Sequence, residues 1–516
     1  MLAATAVRTA HPRGRRPRER PTHSPRRTCL ASRSLTVTQH IPLTRRLAAL
    51  LLAATVLGAA GSGAARSETI RVAVGTQDTT INCATGGLLI RELKLLEKFL
   101  PRDGRYKDAT YDIQWRNFTS GAPLTNEMVA GKLDLGAMAD FPGSLNGYAF
   151  AKAGRRSLFI SVLSGSLHGS GNGVVVPKES PVQSFAELKG KTISVPFAST
   201  AHGLLLRAVK AQGWEPGRDV TIITQAPEVA GAALLANKIE AHADFVPFAE
   251  LFPWRGFARK IYDGAQADAP TFHGALADAD YAEKYPEIVT AYLRAAIEAD
   301  RLIAAEPEKY SELIERVTGI EAEVAYLFHG PLGLQTRDVT WKPAYRQAVK
   351  TSFETLKLLK KADSDIDLDR FVDDRFIRAA AAQAGLDYET RLKDEAPLPL
   401  AAQDSATGKP ITDPSRVAQL WIRGEDKVRP YASPEAAFAA LAELEGQGRE
   451  ARAVYAQDRG NGIKLFATQA WYVRDAQGHL SAFLLKGDAQ AHAAAKGGDV
   501  LDFAAARSGH ARLSAR

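Results

Sequence analysis

The sequence predicts an α/β protein of two lobes joined by a hinge, followed by a small α+β domain, and three observations predict it. From Glu68 onward, short apolar strands alternate with amphipathic helices, the rhythm of an α/β layer. One motif recurs: AGKLDLGAMADFP at 130–142 is echoed by ANKIEAHADFVP at 236–247, each a helix end, a Lys, and an apolar-acidic pair opening a strand that leads to Asp-Phe. Two lobes of similar construction produce such an echo. After 393–415, KDEAPLPLAAQDSATGKPITDPS, which is rich in Pro, Ser, Thr and charge and lacks periodicity, strand pairs lead twice into a helix. That stretch reads as a linker to a separate α+β unit.

The elements follow in order. Residues 1–65 are set apart as leader and signal peptide: the apolar run 47–60 is short for a membrane span, follows Arg45 and Arg46, and ends in GSGAA. IRVAV at 70–74 is the first strand, and a polar loop carrying Gln77, Asn82 and Cys83 follows it. GGLLIRELKLLEKFL places Leu89, Leu93, Leu96 and Leu100 on one helical face before Pro101 stops it. YDIQW is a strand, 124–130 a helix, and KLDLGA a strand running into the Asp140-Phe141 loop. SGSLHGSGNGVVVPKESP at 164–181 concentrates glycine before a strand and suits a crossing between lobes, with the return crossing between Phe245 and Thr271. Lobe 1 is then about 68–168 and 266–392, lobe 2 about 169–265, the linker 393–415 and the last domain 416–505. The acidic pairs of DLDRFVDDRF at 367–376 lie in a mainly helical stretch and read as a solvated face.

Charge excludes one class of function. The chain's net charge is +8, but the leader holds eleven Arg, no Lys and a single acid, a net of +10, so the remainder carries about −2. The basic balance belongs to the leader, and nucleic-acid binding loses its support. Cys29 lies in the leader, so the mature chain has one cysteine, Cys83, and no internal disulfide. No later stretch is long and apolar enough to span a membrane.

VPFASTAHGLLLRAVKAQG at 195–213 reads as the end of a strand, a tight loop and a helix. Ser199 is placed to cap that helix, whose first turn has backbone N–H groups without intrahelical partners; these and the positive end of the dipole suit an anionic or strongly polar ligand group. Two readings stay open for Ser199 and Thr200, a cap alone or a ligand contact.

The stretches IRVAVG, GKLDLGAMADFP, VVVPKESPVQSFAELKGKTISVPFASTAHGLLLRAVKAQG, AALLANKIEAHADFVPF and YAEKYPEIVTAYLRA together resemble the periplasmic substrate-binding proteins of nitrate/sulfonate/taurine-type (NitT/TauT) ABC importers over about 68–392. The resemblance implies the two-lobed periplasmic-binding-protein (type II) fold closing on a small ligand. It implies ligand contacts at Ser199, Thr200 and His202 on one lobe, at Gln77, Asn82, Cys83, Asp140 and Phe141 on the facing lobe, and Phe245 to Phe248 closing the back. The residues leave alternatives: Asp140 as the N-cap of the following helix, His202 as a solvated first-turn residue, and Phe141 and Phe248 as core. An acidic Asp140 in an anion site points to a zwitterionic or metal-linked ligand. The resemblance further implies an ABC permease and ATPase as partners, periplasmic location, a monomer, no cofactor and no catalysis.

The tail at 417–503 is similar to NosL-like domains, a family associated with copper delivery, through VYAQDRGNG, ATQAWYV and LSAFLLKGDAQAHAAAKGGDVLDF. It holds no Cys and no Met, the soft ligands that Cu(I) favours. A copper-handling or sensor role is the alternative, with Cys83, Met138 and His202 as a conceivable ligand set. Enzymes resembling thiamine-pyrimidine synthases share the two-lobed scaffold, but they carry a cysteine cluster that is missing here. There is no G-x-S-x-G, P-loop, H-E-x-x-H or C-x-x-C motif in the chain.

Overall fold

The computed structural model describes residues 68–363, 366–394, 400 and 402–511. The expected leader, 1–65, and residues 395–399 and 401 of the expected linker lie outside the described residues. The first ten strands are β1 Thr69–Thr76, β2 Thr110–Asn117, β3 Leu135–Ala139, β4 Ser157–Ser166, β5 Gly173–Pro177, β6 Thr192–Val195, β7 Thr221–Thr224, β8 Ala241–Asp244, β9 Ala258–Asp263 and β10 Thr271–Asp278.

These strands form two sheets of the same plan, β2-β1-β3-β10-β4 in lobe 1 and β7-β6-β8-β5-β9 in lobe 2. In lobe 1, β1 runs parallel to β2 and β3, and β10 runs antiparallel to β3 and β4. In lobe 2, β6 runs parallel to β7 and β8, and β5 antiparallel to β8 and β9. In each sheet, therefore, the fourth strand is supplied by the chain arriving from the other lobe. That is the two-lobed periplasmic-binding-protein topology of type II. The central strands β3 and β10 are buried along their whole length, as in TFHGALAD of β10, because helices cover both faces of such a sheet.

The repeated motif has a structural cause. β3 and β8 hold the same third place in their sheets, and the acid that opens each ties it to the strand in second place. Asp134 Oδ2 accepts from Ala73 N on β1 at 2.8 Å, and Glu240 Oε2 accepts from Thr192 N on β6 at 2.6 Å.

The chain crosses between lobes at 167–172 and returns at 264–270, and the two crossings touch. Gly264 N donates to Asn172 O at 2.9 Å. Gly169 takes φ +87°, and a Cβ on Gly264 would lie 1.9 Å from Gly169 O, so glycine is required by contact at one position and by torsion at the other. Lobe 1 is completed by the helices Pro286–Ala305, Pro307–Thr318, Ala322–His329 and Pro343–Leu358. Its core includes Phe159, whose ring lies 5.1 Å from Phe272, 5.5 Å from Trp341 and 5.7 Å from Phe371.

The C-terminal domain has β11 Ala418–Ile422, β12 Arg429–Tyr431, β13 Ala451–Gln457, β14 Lys464–Phe466, β15 Trp471–Arg474, β16 Leu480–Phe483 and β17 Asp499–Leu501. They are arranged as the sheets β12-β11-β13-β14 and β16-β15-β17. It packs on both lobes. Arg452 pairs with Glu312 and Glu323 at 2.9 and 2.7 Å, Val428 N donates to Glu308, and Trp254 of lobe 2 stacks on Phe466 at 4.3 Å.

One expectation needs correction. Part of the stretch read as a linker is an ordered turn, in which the Asp404 carboxylate accepts from Ala406 N, Thr407 N and, from β12's end, Ala432 N. Local side-chain to backbone bonds of this kind order a segment without leaving any periodicity in its sequence. Among the described residues no helix is long and apolar enough to cross a membrane.

Candidate functional site

Strand β6 ends at Val195, and four residues later the helix Thr200–Ala211 begins with Ser199 as its N-cap. Ala198 holds φ +63° in between, a strained torsion for a residue with a Cβ and one that clusters at functional loops. Ser199 Oγ accepts from His202 N at 3.3 Å and donates to Pro196 O at 2.6 Å. The cap is therefore made, and the other N–H groups of the first turn are the donors that any helix start leaves without an intrahelical partner.

This helix start faces lobe 1 across a narrow cavity. Its walls include Phe197, Ser199, Thr200 and Phe245 from lobe 2, and Gln77, Thr80, Ser120 and His273 from lobe 1. The space between them is about 20 Å³, room for about one water, so a ligand of several heavy atoms enters only if the lobes part. Among the described residues, buried Thr80 Oγ1 has no hydrogen-bond partner. Gln77 Nε2 donates to Ala137 O at 2.9 Å.

Of the nine residues singled out in the sequence, Gln77, Ser199 and Thr200 line this cavity, and the other six do not. Cys83 stands behind the wall with its Sγ 2.6 Å from His273 Nδ1. Burial pushes the thiol up and pushes His273 down to about 3. Both groups are neutral, the thiol donates to Nδ1, and the imidazole carries its own proton on Nε2. Asn82 Nδ2 donates to Gln335 Oε1 at 2.8 Å. Phe141 packs with Tyr148 and Leu356, and Phe248 meets Phe245 and Phe252 edge-on or tilted. His202 is buried rather than solvated, and its ring lies flat on Phe197 at 4.6 Å; burial pushes it down to about 4.

The N-cap reading of Asp140 is corrected. Ala139 is the N-cap of the helix Asp140–Lys152, and the Asp140 carboxylate instead accepts from Thr271 Oγ1 at 2.8 Å and Ser352 Oγ at 3.1 Å. Burial pushes this carboxyl up, while those hydroxyls and the Arg207 guanidinium oppose the shift. Because Arg207 belongs to the lobe-2 helix, this attraction acts between lobes. The copper ligand set is likewise not assembled: Cys83 is committed to His273, Met138 Sδ to the Thr125 hydroxyl, and His202 to Phe197. No group of three or more His, Cys, Asp or Glu among the described residues is arranged to hold a metal ion.

Sequence reasoning missed Thr80, Ser120, Phe197, Arg207 and His273. It also missed a Ser-His-Asp chain: Ser194 Oγ lies 2.7 Å from His242 Nδ1, and His242 Nε2 lies 2.9 Å from Asp244 Oδ2. All three are wholly buried, so Ser194 is out of reach of any substrate. The chain's effect is positional, since Asp244 Oδ1 accepts from Phe245 N at 2.8 Å and so fixes a cavity residue.

The neutral buried histidines have a consequence for stability. In the unfolded chain each takes a proton once pH falls below about 6.5; in the folded protein His273 does so only near 3. The unfolded state therefore binds more protons, and stability falls as pH falls from about 6.5 toward 4, by about 1.4 kcal/mol per pH unit from this one group. Urea unfolding of wild type and His273→Gln at pH 6.5 and 4.5 checks the sign, with wild type losing more. The upward-shifted Asp140 and Asp244 act in the opposite sense in both proteins and cancel.

Several known proteins are similar to this chain. The NMT1-like family matches residues 101–318. The chain is 29% identical over 215 residues to the taurine-binding periplasmic protein of Escherichia coli, a match covering 41% of this chain and 64% of that protein. It thus spans less than two thirds of that relative. A second Escherichia coli protein, provisionally assigned the binding of aliphatic sulfonates, is 28% identical over 291 residues, covering 56% of this chain and 84% of that one. Among solved structures, the alkanesulfonate-binding protein SsuA from Xanthomonas axonopodis pv. citri bound to MOPS is similar with a TM-score of 0.49 at 22% identity, covering 60% of this chain and 100% of that one.

Proposed function

We propose that this chain is the periplasmic solute-binding component of an ABC importer, and that it takes a small sulfonate-class anion or zwitterion of the taurine type between its lobes. One observation carries the reading: an N-terminal helix turn from lobe 2, at Ser199 and Thr200, confronts a lobe-1 wall of neutral donors, Gln77, Thr80, Ser120 and His273. Backbone N–H groups, hydroxyls and a neutral imidazole hold an anionic head without a fixed cation. Phe197 and Phe245 give the carbon part of the ligand an apolar contact. Asp140, committed to Thr271 and Ser352, is not a repelling charge in the cavity wall.

Closure follows from the same geometry, because a ligand touches both walls only when the lobes are together. The protein then acts as a monomer that presents its closed, loaded form to a permease and ATPase, with the NosL-like tail as a docking or structural unit.

A thermal-shift screen with taurine, ethanesulfonate, nitrate and Cu(II) tests the reading, since a ligand of the folded state alone raises the melting temperature. A sulfonate is expected to raise it. Ser199→Ala with Thr200→Ala is expected to weaken that ligand roughly a hundredfold while lowering stability by only about 1 kcal/mol for the lost cap. Unchanged affinity in the double variant leaves the helix start as a cap and nothing more.

A further inference from the structure

Lobe 2 and the C-terminal domain enclose a second cavity, of about 390 Å³, that shares no lining residue with the one between the lobes. Lys178, Trp254 and Arg259 come from lobe 2, and Trp471, Lys486 and Phe503 from the C-terminal domain. The volume falls within the range of small-molecule pockets, about 300–1,000 Å³.

The walls carry two flat indole faces, Trp254 and Trp471. Trp254 is held by its stack on Phe466, with the ring planes 25° apart. Lys486 Nζ sits 4.7 Å from the centre of the Trp471 ring, which fixes a cation beside an aromatic face.

The charge is one-sided. Among the described residues, Lys178, Arg259 and Lys486 form no ion pair, whereas neighbouring cations do: Lys260 with Glu250 and Asp263, Arg255 with Glu321. Arg259 is held in place by donating to the Ser180 and Val182 carbonyls at 2.9 and 2.7 Å. Burial pushes its guanidinium down, against the pull of Glu187 and Glu179, the sign of a cation whose lost hydration is not made good by a partner. The single acid among the lining residues, Asp502, already accepts from Ala505 N at 2.8 Å.

We propose that this seam is a second ligand site, for a small organic anion with a flat aromatic body, such as an aromatic sulfonate or carboxylate. The indoles take the ring, and the three cations take the acid group. Since the walls belong to two domains, the ligand clips the C-terminal domain to lobe 2.

Titrating the purified full chain with 2-naphthalenesulfonate, read by quenching of tryptophan fluorescence, tests the assignment. Binding is expected, and the Lys178→Gln/Lys486→Gln double variant is expected to weaken it roughly tenfold or more. The uncharged 2-naphthol, the same ring system without a strong acid, is expected to bind roughly tenfold more weakly to wild type. Ser199→Ala/Thr200→Ala is expected to leave the seam's affinity unchanged. No binding, equal affinity in the lysine double variant, equal affinity for 2-naphthol, or loss in the Ser199/Thr200 variant overturns the proposal, the last by placing the probe between the lobes. Lys178 is exposed and Lys486 half-buried, and an unchanged melting temperature of their double variant separates lost contact from lost fold.

Discussion

Lys260→Met is expected to remove about 3–5 kcal/mol of folding stability, because it strands two buried carboxylates. Lys260 Nζ, on β9, lies 2.7 Å from Asp263 and also pairs with Glu250, and all three side chains are buried. Burial already pushes Glu250 up, and the attraction of Lys260 is what opposes it. With the lysine gone, two like charges remain out of water, and one of them takes up a proton on folding. The folded variant then binds more protons than its unfolded chain, so its deficit relative to wild type shrinks as pH falls from 7 toward 5. Urea unfolding at both pH values checks the size and the sign. Asp263 Oδ1 also accepts from Ala265 N at 2.9 Å, where the chain turns into the return crossing, so the same change loosens the hinge.

Gly264→Ala is expected to cost about 3 kcal/mol, at the upper end of overpacking effects. The added Cβ would meet backbone, Gly169 O at 1.9 Å and Gly169 C at 2.9 Å, with no flexible side chain to yield. The two crossings must separate, and the bond from Gly264 N to Asn172 O is lost with them. Denaturant unfolding gives the cost. Small-angle scattering is expected to show a more open pair of lobes than wild type, and an unaltered profile with unaltered stability would mean the crossings do not touch.

The two-lobed fold was legible because its signals are local. Strand and helix periods alternate, and the acidic residue opening β3 and β8 ties each to the neighbouring parallel strand in second place of its sheet, which is why the motif repeats. The helix start at Ser199 was legible for the same reason, as a cap is read from neighbours in sequence. What stands opposite it was not. His273 reaches the cavity because β10 returns from the other lobe and inserts between β3 and β4, a pairing that no local period encodes. Asp140 was misread because its partners, Thr271 and Ser352, lie 131 and 212 residues away. The docking of the C-terminal domain through Trp254 and Phe466 was hidden likewise, behind a stretch whose described residues are tied by the Asp404 carboxylate and by non-periodic backbone bonds such as Ser405 N to Pro430 O.

We propose that the cavity between Ser199 and His273 holds a small sulfonate. Calorimetric titration of taurine and ethanesulfonate into the purified protein, beside its Ser199→Ala/Thr200→Ala variant, tests it most directly. Saturable one-to-one binding of a sulfonate by wild type, weakened roughly a hundredfold in the variant, is the result predicted. Equal binding by both proteins, or heat from neither sulfonate, contradicts it.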